Sequence, residues 1–467
     1  MTFGPILFLR AVEDTRLRLA ALLCRDGPDE PGDLCADDTR HRPKRLGEIA
    51  GKSLWRYDFS LPRGGAADYS VEGEGYTVAT DLDGDLRIGF VSCNGEEEGD
   101  LSRDPEERDA MWRRMAETHA AAPYHLLLHG GDQVYADEVT RGNPLSDGWP
   151  DEVPDSPTPE ALDKLRQHLR EAFLHRYSVT YAGEGFAHLS ARVPSLMMWD
   201  DHDICDGWGS LGLVEKTAVG ETLFDCAREA FLLYQHAATE DDVPALFSDP
   251  SGTSLSWRRD LPGVSVLAPD LRSERTLERI MGPKGWKAFG RACEGLEPRV
   301  VIVSSVPLLG PRLSLIERAM RITRRMEKYE DDLRDQWQSY AHRTEWQRML
   351  RCVLKLEETG HRVTVLSGEI HLATRGELRN GDAPVHQLVA SGISHRAPPK
   401  LWAHVLGTLA RLGEAPIPQH PIRIRPLPGK RTNYTAERNY LSLERKGADW
   451  RARWALEESG ETPWLEI

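Results

Sequence analysis

The chain has no apolar run long enough to cross a bilayer, no CxxC pair and no surplus of positive charge. Each absence removes a class of protein. A membrane helix needs about 20 mostly apolar residues, so no transmembrane segment is expected. Seven cysteines (Cys24, Cys35, Cys93, Cys205, Cys226, Cys293 and Cys352) are scattered and odd in number. That pattern fits neither a disulfide framework nor a zinc ribbon, and it favours a reducing compartment. A formal net charge of −15 works against duplex nucleic acid, whose binding needs a basic face to displace counterions. A small phosphorylated substrate remains open, because bound cations reverse the local field. The opening residues MTFGPILFLRAVED lack a basic leader, and their short apolar stretch is broken by Gly4 and Pro5. They do not read as a signal peptide, and the expected location is cytoplasmic.

What is present is an ordinary globular composition, 40% hydrophobic and 28% charged over 467 residues. That length accommodates one large enzyme-sized domain with a small appendage. In the first eighty residues, ILFLRAV (6–12) and LRLAALL (17–23) flank Glu13-Asp14-Thr15 and predict a hairpin. A polar, Pro/Gly-rich loop (27–45) and two further strand-like runs, 55–61 and 76–82, complete a small all-β domain over 1–83. From 84 to 431 strand-like runs alternate with amphipathic helices. The strands are 86–91, 125–129, 195–199, 264–268, 299–303, 361–366 and 386–390. Asp104-Pro105-Glu106-Glu107 opens one helix, to about Ala120, and Thr158-Pro159-Glu160 opens another. Strands buried on both faces and linked by helices predict an α/β layered fold. Residues 432–467 are expected to pack on this catalytic part. The Pro-rich, basic segment 395–431 reads as a surface excursion with a short helix at 400–411, with a lid or membrane-facing helix as the alternative.

Several strands end in clusters of small, acidic, Tyr or His residues, where α/β folds bind ligands. Strand 86–91 leads into Ser92-Cys93-Asn94. A cysteine there ordinarily fills space as a small hydrophobe, and a thiolate ligand is the alternative. Strand 125–129 leads into His129-Gly130-Gly131-Asp132-Gln133-Val134-Tyr135-Ala136-Asp137. The glycines permit a sharp turn that sets Asp132 at the strand mouth with Tyr135 one turn on, although Asp also serves as a simple turn former. Strand 195–199 leads into Asp200-Asp201-His202-Asp203. Three carboxylates around one histidine repel one another unless a cation compensates them, which favours a metal site over a solvated turn. Strand 361–366 leads into Ser367-Gly368-Glu369-Ile370-His371, where Glu369 and His371 would share a side in extended chain and supply an imidazole.

Taken together, SCN (92–94), HGGDQVYAD (129–137), WDDHD (199–203) and SGEIH (367–371) resemble the alkaline phosphatase D (PhoD-like) family of calcineurin-like metallophosphoesterases. Weaker matches are PDLRSER (269–275), DQWQSY (335–340) and ASGIS (390–394), and all occur in the family's order. The resemblance implies a layered β-sandwich flanked by helices and preceded by a small all-β domain. It implies hydrolysis of phosphomonoesters or phosphodiesters by a hydroxide activated at two metal ions, iron(III) and calcium. Asp132 would bridge them. Tyr135 and Cys93 would bind the ferric ion, Asp201 and Glu369 the second metal, with His371 completing the site. His202 would face the leaving group, and Arg272 would either grip phosphate or pair with Asp270.

The chain departs from the family pattern in carrying Glu369 where Asp is more usual. It also has Ser304-Ser305-Val306-Pro307 after strand 299–303, where many metallophosphoesterases carry a histidine, and no export signal is expected. Two other functions compete: a non-catalytic binding protein on the same scaffold, and a metal-dependent phospholipase that docks on a surface through 395–431.

Overall fold

The computed structural model describes residues 2–310, 336–381, 383–411 and 413–467. The apolar runs form two large twisted sheets. In the first, the parallel strands Leu86–Val91, Leu126–Gly130 and Ser195–Met198 lie side by side at the centre. In the second, Val264–Ala268, Arg299–Ser304, Arg362–Ser367 and Val385–Val389 run parallel in that order. Alternation along one strand shows how the layers are built. In Arg299–Ser304, Val301 and Val303 join the core shared with the first sheet. Val300 and Ile302 point the other way, into a second core with Phe289 and Leu350 of helices Pro283–Ala292 and Arg343–Glu358. The architecture is the expected layered β-sandwich flanked by helices. Both expected helix starts are present: Asp104 caps Pro105–Ala121 through the Glu106 N–H, and Thr158 caps Pro159–Tyr181 through the Ala161 N–H.

The N-terminal residues are all strand, and the predicted hairpin is Phe3–Val12 with Arg16–Asp26. Part of the presumed loop at 27–45 is ordered as the short strands Leu34–Ala36 and Thr39–His41, which join Ala66–Val71 and Glu74–Ala79 in a separate four-stranded sheet. Phe8 pairs in parallel with Ser195, so the first strand extends the central sheet. The change of composition near residue 83 is therefore not a break in hydrogen bonding. At the other end, Asn439–Lys446 pairs antiparallel with Leu86–Val91 and closes that strand's second edge.

The segment 395–431 is more than a surface excursion. Besides helix Lys400–Ala410 it supplies Glu414–Ile417 and His420–Arg425, which extend the second sheet with Ile422 and Ile424 buried. Its prolines had hidden a two-residue alternation. Among the described residues no helix is long and apolar enough to cross a membrane, and all seven cysteines are free.

One buried histidine makes the fold acid-sensitive. His129 is fully buried, with Nδ1 against Gln133 Oε1 at 2.8 Å and Nε2 against Ser195 Oγ at 3.1 Å. Burial lowers its pKa to about 4, so it is neutral in the fold. The unfolded chain protonates near 6.5. Stability is therefore full above pH 6.5 and falls as the pH drops toward 4, by about 3 kcal/mol from this residue. Thermal melts across that window should show the decline, with a shallower slope for His129→Gln.

Candidate metal centre

The site lies where the C-terminal ends of strands from both sheets meet. Leu86–Val91, Leu126–Gly130 and Ser195–Met198 deliver Cys93, Asp132 and the 199–203 turn from one sheet, and Arg362–Ser367 delivers His371 from the other. The approach is close because Gly131, at φ 105°, leaves space where a Cβ would stand 2.7 Å from the Cβ of Asp200. Cys93 (φ 56°), Asp132 (φ 54°), Glu369 (φ 68°) and His371 (φ 53°) all occupy the left-handed region. Such a backbone costs a non-glycine residue about 1–3 kcal/mol and persists only where its surroundings enforce it. Glu369 and His371 are thus in a turn and not in extended chain, and they do not share a side as the sequence suggested.

Asp203 does much of the enforcing. Its Oδ2 accepts the N–H groups of Asp132 and Asp200, both at 2.9 Å. Its Oδ1 accepts those of Gln133 (2.9 Å) and Val134 (3.3 Å), and the Gln235 amide at 2.9 Å. One buried side chain thereby fastens the 131–135 loop to the 199–203 turn. Burial pushes its carboxyl up to about 7 against the pull of those N–H donors.

Around this fastening, potential ligand atoms of Asp132, Asp200 and Asp201 lie within 4.8 Å of one another. A second group within the same limit is Cys93, Asp132 and His371. Asp132 belongs to both. Its Oδ2 accepts from the Cys93 thiol at 3.4 Å, while its Oδ1 is buried with no hydrogen-bond partner. Without a cation these groups suppress one another's ionisation. Burial and the charge of Asp200 raise Asp132, burial and Asp132 raise Cys93, and burial and Cys93 raise Tyr135. An oxygen without a donor, in a pocket of mutually repelling acids, is what a metal ion relieves. The donor set fits such an ion.

The remaining expected residues are placed as follows. The Tyr135 hydroxyl meets His371 Nε2 at 2.8 Å. His371 groups with Cys93, on the expected ferric side, and not with Asp201. His202 lies with its ring 4.3 Å from that of Tyr135 and its Nδ1 3.0 Å from Asp137 Oδ1. Burial opposes its charge, but Asp137, Asp201 and Asp132 outweigh burial and raise its pKa well above the usual value. Glu369 is bound by the Gln336 amide at 2.7 and 2.8 Å, and among the described residues it is in none of the metal-capable groups. Arg272 is fully buried. Its guanidinium bonds Asp200 and lies 3.3 Å from Asp201 Oδ1, while Asp270 accepts only its backbone N–H. Of the two expected roles, pairing with a carboxylate is the one its contacts display, with Asp200 and Asp201 in the place of Asp270. Of the weaker matches, Asp335 lies outside the described residues. Ser391 of ASGIS bonds both the Cys93 thiol (3.1 Å) and the His371 N–H (2.8 Å).

Sequence alone gives Asp203 and Asp137 no separate roles within their loops, and it does not point to the pair Glu97–His395. His395 stacks on His371 with ring centroids 3.4 Å apart and meets Glu97 at 3.2 Å. His395 directly follows ASGIS, which was the available signal. Glu97 sits in an acidic run after SCN that carried none.

A family model described as PhoD related phosphatase matches residues 106–329, a span that includes the 129–137 and 199–203 loops. Over that span, just under half of its length, the chain is similar to the PhoD-related phosphatases. A solved structure of PhoD superposes on this chain with a TM-score of 0.57 and 12% identity, over 100% of this chain and 88% of that one. A purple acid phosphatase from yellow lupin (Lupinus luteus) seeds gives 0.55 and 9%, over 99% and 73%. At these identities the two likenesses speak for the fold. An uncharacterized protein of Saccharomyces cerevisiae, YGR266W, is 24% identical over 408 residues covering 72% of this chain. The match spans 57% of that yeast protein's length.

If Asp203 is the fastening described, Asp203→Ala strands five buried N–H groups and should cost about 3 kcal/mol or more. Melting temperature and metal content should fall together, with Asp203→Asn intermediate. An unchanged melt would refute the assignment.

Proposed function

We propose that the chain hydrolyses small phosphomonoesters or phosphodiesters at a centre of two metal ions. The observation that carries this is Asp132, shared between two metal-capable groups and left with a donorless buried oxygen. Cys93, Tyr135, Asp132 and His371 would hold one ion, and Asp132, Asp200 and Asp201 the other. The thiolate and phenolate favour a trivalent ion, iron(III), on the first side, and an all-oxygen set suits calcium on the second. When bound, such a pair supplies Lewis acidity to the phosphoryl oxygens and a nucleophile available near neutral pH.

The protein's own groups do the rest. Asp137 fixes the Nδ1 edge of His202, and the surrounding carboxylates keep the ring charged. That leaves Nε2 to give a proton to the departing oxygen. Asp203 and Arg272 hold the acids in place, so the site needs no rearrangement when charge develops. The −15 net charge supports a small substrate over duplex nucleic acid, and seven free thiols suit a reducing, cytoplasmic setting.

Metal analysis of the purified protein, with turnover of paired aryl mono- and diesters, tests this reading directly. His202→Ala should lose about 10²–10⁴-fold in turnover with its metal content intact, and undiminished turnover would remove the proton-donor role. A visible absorption band should accompany iron and vanish in Tyr135→Phe. A colourless, iron-free and fully active preparation would rule iron out.

A further inference from the structure

Helix Lys400–Ala410 carries more apolar surface than it buries. Its small residues face the protein, with Ala403 3% and Ala410 5% exposed. Leu406 packs with them against the second core, whereas Leu401, Val405 and Trp402 are 74%, 42% and 36% exposed. At 100° per residue Leu401, Trp402, Val405 and Leu409 fall within one wedge. Lys400, His404 and Arg411, all exposed, form a basic stripe on another face. The basic character extends beyond the helix. Residues 395–431 carry seven Lys and Arg against one acid, Glu414, in a chain whose formal charge is −15. Lys400 meets Glu458 at 3.0 Å, but both side chains are more than half exposed, and such a pair contributes little.

We infer that this helix seats the protein on an anionic lipid bilayer, with its apolar wedge among the acyl chains and its basic stripe on the headgroups. A solvent-facing apolar wedge beside Lys and Arg is the pattern of interfacial helices. The positive segment is complementary to anionic lipid, whereas the rest of the molecule is repelled by it, and this orients the docking. A second copy or another protein is a poorer occupant. An eleven-residue helix is about 16 Å long and offers far less than the roughly 800 Å² per partner that a stable protein interface buries.

The helix is also joined to the metal centre. It begins five residues after His395, which stacks on His371, so at most about 17 Å of chain separates the two. Arg396, between them, is anchored to Glu96 and Glu107. A docked helix would hold the mouth of the site beside the headgroup layer. Resting on the phosphoesterase reading, this assigns phosphoesters carried at a lipid surface as the substrate class.

The test is flotation of the full chain with phosphatidylcholine vesicles, with and without phosphatidylserine. Wild type should float with the anionic vesicles only, less so at high salt. Leu401→Asp/Val405→Asp should bind about tenfold more weakly or worse, Arg411→Glu should also bind less, and turnover of a soluble aryl diester should be unchanged in both. Wild type that stays unbound, or a double variant that binds as wild type does, overturns the proposal. So does concentration-dependent self-association that the double variant abolishes. Vesicle binding without turnover of any soluble ester would sink the phosphoesterase reading and leave the docking surface standing.

Discussion

The hydrogen bonds to Asp203 hold together what the strands only bring near. Strand ends are blunt instruments: they place loops within a few ångströms but do not aim side chains. One carboxylate accepting from the 131–135 loop, the 199–203 turn and Gln235 converts proximity into geometry. Unlike Asp132 it spends its oxygens on N–H donors, so it builds the site without competing for its ions. The aiming costs strain, and the left-handed backbones of Cys93, Asp132 and His371 show where it is stored.

Charge is the second constraint. Asp132, Asp137, Asp200, Asp201 and Asp203 lie around two cationic side chains, Arg272 and His202. Arg272 is spent on Asp200 and Asp201 from the protein side, and His202 on Asp137. The acids that remain face inward with raised pKa values, so the protein alone is electrostatically incomplete there. Completing it with cations would lower the same pKa values that burial raises.

The architecture was legible because its signals are local. Apolar runs, a Pro at a helix start and glycines after a strand each act through neighbours in sequence, and they placed the seven catalytic strands and both capped helices. The loops that carry chemistry were legible for the same reason. Roles within a loop were not. Nothing local ranks Asp200, Asp201 and Asp203 in WDDHD, and the structure gives them three different tasks. Arg272 chose Asp200, 72 residues away, over the neighbouring Asp270 carboxylate. Glu97 and His395 are 298 residues apart, and their meeting depends on the seam between two sheets. Nor does any local pattern announce the left-handed turn at Glu369 and His371, which sets His371 beside Cys93 and Asp132.

The pairing of Leu86–Val91 has a consequence for assembly. That strand aims Cys93 into the centre, yet its flanks are closed by Leu126–Gly130 on one side and Asn439–Lys446 on the other. The second partner follows about 350 residues later in the chain. Non-local pairing of this kind is slow and leaves an open edge in the meantime. During synthesis the thiol-bearing strand therefore lacks its outer neighbour until the C-terminal residues are made. The thiol-bearing side of the pocket is thus completed by the last strands of the chain to be made.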